Sequence, residues 1–380
     1  MAEQKLSPMM KQYLEIKEQH KDQILFFRLG DFYEMFFEDA IIASKELELQ
    51  LTGKNCGMDE RAKMCGVPFH SAENYIARLI DKGYKVAICE QVEDPAKAKG
   101  IVKRDVVRVI TPGTILEGIM LDESKNNYIC SVRMDVNSAG IVFADVSTGE
   151  IKVTHISDGD ITVKVINEIS RFAPREALLC ANSIINKNVT EFLKNKLSAA
   201  ITQLPNEIFN LRFSKELVNE QFGQDYISEI KLDNTPIIIE ALGGLVDYLR
   251  ETQITGLNRL NRVEIYKTEQ YMNLDISARN NLELTQSMHK GEKHATLLWV
   301  LDQTKTSMGQ RLLRSYIEQP LMSVAGIIRR QSAVSELFDN SIMRSEIREK
   351  LNNVYDLKRV LTRVVYGNIS PRELNSLAYT

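Results

Sequence analysis

No stretch of this chain approaches the roughly 20 consecutive apolar residues that a membrane-spanning helix needs. The opening Met1-Ala2-Glu3-Gln4-Lys5 lacks the apolar segment of a secretory signal. The five cysteines (Cys56, Cys65, Cys89, Cys130 and Cys180) have no Cys-x-x-Cys spacing and the five histidines are dispersed, so neither set makes a metal site. An odd number of scattered thiols fits a reducing compartment, and the expected location is the cytoplasm. Gly-x-x-x-x-Gly-Lys-Ser/Thr occurs nowhere, which excludes a P-loop cradle for a nucleotide's phosphates. A net positive charge is lacking too. With 48 Lys and Arg against 51 Asp and Glu, the net charge of −3 draws no nucleic acid, so any DNA contact needs a local patch. Internal repeats and low-complexity tracts are also lacking.

What is present is an ordinary globular composition, 44% hydrophobic and 26% charged, spread over 380 residues. That length is too great for one compact core and predicts two or three domains. The most informative stretch begins at Ile24, where Ile24 to Leu29 is a dense apolar run of strand length. Gly30 breaks it, and Asp31 followed by Glu34 has the spacing of a capping box, which predicts a helix starting there. Tyr33, Phe36, Ala40, Ala43 and Leu47 then share a helical face directed at a core. Phe32 falls off that stripe, in the first turn beside Glu34, at a strand-to-helix corner where side chains reach out of a domain. An aromatic ring next to an acid at such a tip suits wedging into and reading stacked bases. The simpler local account makes Phe32 one more core aromatic and Glu34 only a cap.

The surrounding text favours the first. Leu29-Gly30-Asp31-Phe32-Tyr33-Glu34-Met35-Phe36 closely resembles the mismatch-recognition motif of the MutS family of bacterial DNA mismatch-repair proteins. The resemblance continues through Cys65-Gly66-Val67-Pro68-Phe69-His70, Cys89 to Pro95, and Val107-Arg108-Val109-Ile110-Thr111-Pro112-Gly113-Thr114, in the family's order and approximate spacing. It implies that Phe32 is a wedge and Glu34 a base reader. Inserting a ring costs a few kcal/mol of unstacking, regained in part through ring–base stacking of roughly 1–3 kcal/mol. A mispair kinks more cheaply than a Watson–Crick pair, so discrimination comes from deformability. Glu34 is harder to account for, because an ionised carboxylate is repelled by phosphates and purine N7 needs a donor. Either Glu34 is protonated on DNA or it accepts from a base N–H. A basic run of Lys97, Lys99, Lys103, Arg104 and Arg108 is a solvated loop in the plain reading and a set of DNA-backbone contacts in the functional one.

Pattern and resemblance together give the expected organisation. Helices at Pro8 to Glu18 and Ala72 to Lys82, strands at Tyr84 to Cys89 and Asp105 to Ile110, and a loop over Leu51 to Gly57 make an α/β mismatch-recognition domain over 1–116. A linker is expected over 117–126. Strands at Tyr128 to Met134, Gly140 to Asp145 and Glu150 to Ile156, joined by polar turns, open a second block. Helix (Ile161 to Arg171), strand (Glu176 to Cys180), helix (Val189 to Leu197), strand (Ala200 to Leu204) and a long helix (Thr235 to Ile254) follow. This block, 127–250, resembles the ribonuclease-H-like α/β connector of the family. From 251 to 380 the chain is read as all-α, the start of the family's core (lever) domain, on the resemblance of Leu274 to Leu284 and Leu301 to Leu313. Helices are predicted over Tyr271 to Asn281, Leu297 to Glu318, Ile327 to Phe338, Met343 to Leu351 and Leu357 to Val365. Lys290 to His294 is expected to be a loop and Trp299 a core residue. Ser370-Pro371-Arg372-Glu373 opens a further helix that is expected to be cut short.

The resemblance implies an ATP-driven sensor of mismatched duplex DNA, a homodimer at full length, with a MutL-type repair protein docking on the connector. The fragment itself is expected to need no cofactor. The resemblance assigns ATP and magnesium to an ATPase domain, which, like the clamp, is expected to lie outside this stretch. Two rival readings remain. One is a ribonuclease-H-like, metal-dependent nuclease built on Asp135, Asp145 and Glu150, against which stands the rule that fold does not imply function. The other is a protein-interaction module without DNA contact.

Overall fold

The computed structural model describes residues 6–57, 60–93, 100–181, 187–252, 257–288, 292–367 and 369–380. Contacts group the chain into two units, Met1–Met120 with Leu249–Thr255, and Leu121–Tyr248 with Gly256–Thr380.

The first unit begins with α1 (Pro8–Gln19), where proline occupies the first turn and Ser7 caps it by accepting from the Met10 amide at 3.3 Å. The apolar run becomes β1 (Ile24–Leu29), as its composition predicts. The next segment departs from expectation. Residues Phe32–Phe36 form a strand, β2, and the helix α2 (Phe37–Leu47) starts only after it. Gly30 and Asp31 are the two-residue turn of a β-hairpin, Gly30 having a positive φ of 58° and Leu29 facing Phe32 across the pair. A Gly-Asp loop between two apolar runs is a hairpin signal in its own right. The capping-box reading loses because β2 gains ladder partners on both sides, β1 and β4. Ala40, Ala43 and Leu47 are buried on α2 as predicted, whereas Tyr33 and Phe36 belong to the strand.

The unit continues with β3 (Thr52–Lys54), β4 (Ala62–Pro68), α3 (Ala72–Asp81), β5 (Val86–Gln91) and β6 (Arg104–Ile110). Strand β3 lies in the segment expected as a loop, and β4 has no counterpart in the sequence reading. The sheet order is β3-β4-β2-β1-β5-β6, with only β1 and β5 parallel among its neighbours. Met10 and Tyr13 of α1 pack with Leu25, Phe27, Phe36, Ala87 and Cys89 in one buried cluster. The Tyr13 ring meets Phe36 and Phe27 edge-on, at 5.0 and 5.4 Å.

The second unit opens on β7 (Ile129–Met134), β8 (Ala139–Asp145) and β9 (Glu150–Ile156), an antiparallel meander at the predicted positions. Then come α4 (Ile161–Phe172), β10 (Glu176–Cys180), α5 (Lys187–Lys196) and β11 (Ala200–Leu204), with β10 parallel to both β7 and β11. Helices α6 (Leu211–Phe222) and α7 (Gln224–Glu229) are additional to the reading, and α8 is Pro236–Thr252. A two-residue strand, β12 (Glu264–Ile265), pairs with β9 and completes the order β11-β10-β7-β8-β9-β12, so the sheet recruits residues from the stretch read as all-α. The remainder is helical: α9 (Ile276–Asn281), α10 (Leu297–Leu301), α11 (Ser307–Glu318), α12 (Val324–Asp339), α13 (Ser341–Leu351), α14 (Leu357–Val365) and α15 (Pro371–Ala378). The predicted capping box is present, Ser370 and Glu373 each accepting the other's backbone N–H. Two expectations change here. Leu297 to Glu318 is two helices, because Asp302 accepts from the Thr304 amide and hydroxyl and ends the first. Trp299 is 48% exposed beside His294, not a core residue. The Lys290 to His294 loop falls partly outside the described residues. No helix among the described residues is long and apolar enough to cross a membrane.

Candidate nucleic-acid interface

Strand geometry brings Phe32 and Glu34 together. Successive side chains alternate between faces, so positions two apart point the same way. Along β2, Phe32 is exposed, Tyr33 buried, Glu34 half-buried, and Met35 and Phe36 buried. Phe32 and Glu34 share their face with the residues opposite them, Leu29 and Phe27 on β1 and Pro68 and Gly66 on β4. Towards Phe36 that face is covered by α1. Towards the hairpin turn it opens, and Phe32 is left 48% exposed.

The turn is braced from the other face. Arg28, paired opposite Tyr33, donates from Nε to the Gly30 carbonyl at 2.5 Å and lies over the Phe69 ring at 3.6 Å. The Phe69 amide donates to the Asp31 carbonyl at 3.0 Å. Tyr33 donates its hydroxyl to Glu90, 3.6 Å from Arg28. Burial pushes the Tyr33 phenol up, and accepting Glu90 adds to the shift. Phe69 is itself exposed, so the tip presents a second ring. Sequence reasoning missed Phe69 and Arg28. The available signal was a lone arginine interrupting the apolar run Ile24 to Leu29.

Glu34 is tied down. The Lys54 ammonium, from β3, donates to its Oε2 at 2.6 Å. Opposite it, Gly66 leaves little room, since a Cβ there would stand 3.1 Å from the Tyr33 carbonyl and 3.5 Å from Glu34 Cγ.

The basic run divides. Lys97 and Lys99 lie outside the described residues, and Lys103 is exposed. Arg104 and Arg108 differ from the reading of them as backbone contacts, because both are held by protein acceptors. Arg104 is buried and donates to the carbonyls of Arg28 (2.6 Å) and Val102 (2.9 Å) and to Gln12 (3.2 Å), and burial pulls its pKa down. Arg108 pairs with Glu117 and donates to the Thr114 carbonyl at 2.9 Å. A bulge on β6 separates the two: Arg104 and Val106 pair with Gln91 and Cys89, whereas Arg108 pairs with Ile88 and so lies on the opposite face, half-buried beside Glu117.

The acids of the rival nuclease reading are also engaged. Asp145 is fully buried and accepts from Asn126, the Asn127 amide, and the Ser147 amide and hydroxyl, at 2.6–3.2 Å. Asp135 lies 3.5 Å from Arg133, and Glu150 3.0 Å from Lys152. Among the described residues no three His, Cys, Asp or Glu side chains gather as a metal cluster would.

Family models match nearly all of this chain: MutS domain I over residues 7–118, MutS domain II over 127–263 and MutS domain III over 277–380. The chain belongs to the MutS family. Relatives named DNA mismatch repair protein MutS are 50% identical over 375 residues in Acetivibrio thermocellus and 48% over 372 residues in Ruminiclostridium cellulolyticum. One from Lachnoclostridium phytofermentans is 47% identical over 374 residues. These alignments cover 98–99% of this chain but 40–43% of the relatives, so the chain spans less than half their length. The MutS domain I match contains the whole β1–β2 hairpin, Lys54, Phe69 and the basic run.

Proposed function

We propose that this chain serves DNA mismatch repair as the part of a MutS protein that contacts mispaired or unpaired bases in duplex DNA. Phe32 is the wedge and Glu34 the group that reads the displaced base. One observation carries the reading, a large ring left half-exposed at a braced hairpin tip with a carboxylate two residues on, on the same face. An exposed aromatic ring gains by leaving water for a base stack, and the brace from Arg28 and Phe69 limits the ordering it must undergo on binding. Lys103 fits a phosphate contact, and Lys97 and Lys99 are kept as candidates. Arg104 and Arg108 are dropped from that role, since protein acceptors occupy their guanidinium groups.

The wider reading follows the family. The sheet of the second unit, three antiparallel strands followed by two parallel ones on the β7 side, supports a ribonuclease-H-like connector on which a MutL-type protein docks. The helices from α9 onward are read as the start of the lever. Homodimerisation and the ATP- and magnesium-dependent step are assigned to the full-length protein, acting in the cytoplasm.

The test is equilibrium binding to a duplex carrying one G·T pair and to its fully paired counterpart. Phe32→Ala should abolish the preference while leaving salt-sensitive background binding. Full preference in Phe32→Ala would remove the wedge assignment.

A further inference from the structure

Glu34 brings negative charge to a place meant for a polyanion, and its neighbours show how this is tolerated. Across the ladders it faces Phe27 on β1 and Gly66 on β4, neither of which carries charge. The buried thiol of Cys56 lies within electrostatic reach, and that field works against a second negative charge there. The one cation that contacts Glu34 among the described residues is Lys54, at 2.6 Å from Oε2. The Glu34 side chain is 15% exposed and that of Lys54 34%, so salt screens the pair less than a surface pair. Both partners stand on strands of fixed register, Lys54 opposite Ala62 on β3–β4 and Glu34 opposite Gly66 on β4–β2. The geometry is therefore built before any ligand arrives, and only one carboxylate oxygen is used.

We propose that Lys54 is the positioning residue for Glu34. Its ammonium supplies the counter-charge that lets the carboxylate come among phosphates, and it fixes the carboxylate so that Oε1 remains for a base. This rests on the reading of Phe32 and Glu34 as the mismatch contact. It adds a route to the two considered for Glu34 from sequence, in which the charge is compensated by the protein itself. An ammonium has three donors and the pair uses one, so Lys54 can follow Glu34 to the DNA without abandoning it.

The test compares Lys54→Met, Lys54→Arg, Glu34→Gln/Lys54→Met and Phe32→Ala in the full chain, on G·T and paired duplexes, with thermal unfolding alongside. Lys54→Met should lower the mismatch preference about tenfold, in line with the coupling measured for close charge pairs at interfaces. Lys54→Arg should keep most of the preference. Removing the uncompensated charge in the double variant should recover G·T affinity lost in Lys54→Met, which repair of a packing defect would not do. If Lys54→Met matches wild type while Phe32→Ala loses preference, the positioning role is wrong and the wedge stands. If Phe32→Ala keeps its preference, both readings fail. Loss in Lys54→Met that neither arginine nor Glu34→Gln repairs makes Lys54 a packing residue and also overturns the proposal.

Discussion

Phe32 and Glu34 leave the sheet on the same side because β2 is a strand, and the two-residue period that joins them also turns Tyr33 and Met35 into the opposite core. On a helix, residues two apart point about 200° from each other, so a ring and an acid at this spacing could not meet one base step. The hairpin is thus a condition of the proposed chemistry.

Gly66 protects that arrangement. Any side chain at 66 begins 3.1 Å from the Tyr33 carbonyl and 3.5 Å from Glu34 Cγ, tighter than the strand pair accommodates without a shift. Gly66→Val should cost about 1–3 kcal/mol in stability, the usual range for overpacking. It should also reduce mismatch preference beyond what the stability loss explains, by displacing Glu34 from Lys54. Urea unfolding and paired binding curves measure the two effects. A variant with native preference would show that the close fit at Gly66 does not matter to the reader.

The basic run offers a cleaner contrast. Arg104→Ala removes a buried guanidinium and strands the carbonyls of Arg28 and Val102, which should cost about 2–3 kcal/mol. Its DNA affinity should keep the wild-type dependence on salt. Lys103→Ala should change stability by no more than about 0.5 kcal/mol. If Lys103 contacts a phosphate, the slope of log K against log salt should fall by about 1. The reverse pattern, a lower slope for Arg104→Ala and none for Lys103→Ala, would invert the assignment made from burial.

Where sequence reasoning succeeded, pattern and local chemistry agreed. The meander β7–β9 has apolar strands and polar turns, and Ser370 to Glu373 satisfies its own cap, so both were legible. At Asp31 and Glu34 they disagreed. A local cap competed with ladders to β1 and β4, and β4, with a glycine in its midst and only moderate strand character, was not visible from sequence. Charge was misread for a related reason. Sequence shows that Arg104 and Arg108 are basic, but only the fold shows that Arg104 is buried and that Arg108 is held by Glu117. Lys54 was hidden in what read as a loop, so its pairing with Glu34 required the fold.

Asp302 makes a pH-dependent contribution whose sign can be stated. Burial pushes its carboxyl up, but donation from Lys293, Thr304 and Gln310 outweighs this and brings it down to about 2. An acid whose folded pKa is depressed stabilises the fold fully above the unfolded value of about 3.8, and the contribution is lost as pH falls towards 2. Asp302→Asn should therefore flatten that limb of an acid unfolding curve. Unchanged steepness between pH 4 and 2 would mean that other carboxylates carry it.

Arg359 grips the stretch that composition suggested was a loose linker. From α14 it donates to the Ser147 hydroxyl at 3.2 Å and to the carbonyls of Asp122 and Lys125 at 3.0 and 2.6 Å, and its side chain is buried. Arg311, held by Asp356 through bonds of 2.6 and 2.9 Å, donates to the Glu123 carbonyl between them. A guanidinium can serve three acceptors spread around its plane, which a single ammonium cannot. Arg359→Ala should destabilise by about 2–3 kcal/mol and leave two carbonyls without their donor. Amide hydrogen exchange over residues 122–127 should accelerate in that variant, and Arg359→Lys should restore only part of the protection. If exchange there is already fast in the wild type and unaffected by either change, the segment is the free linker its sequence suggests, and the arginines do not hold it.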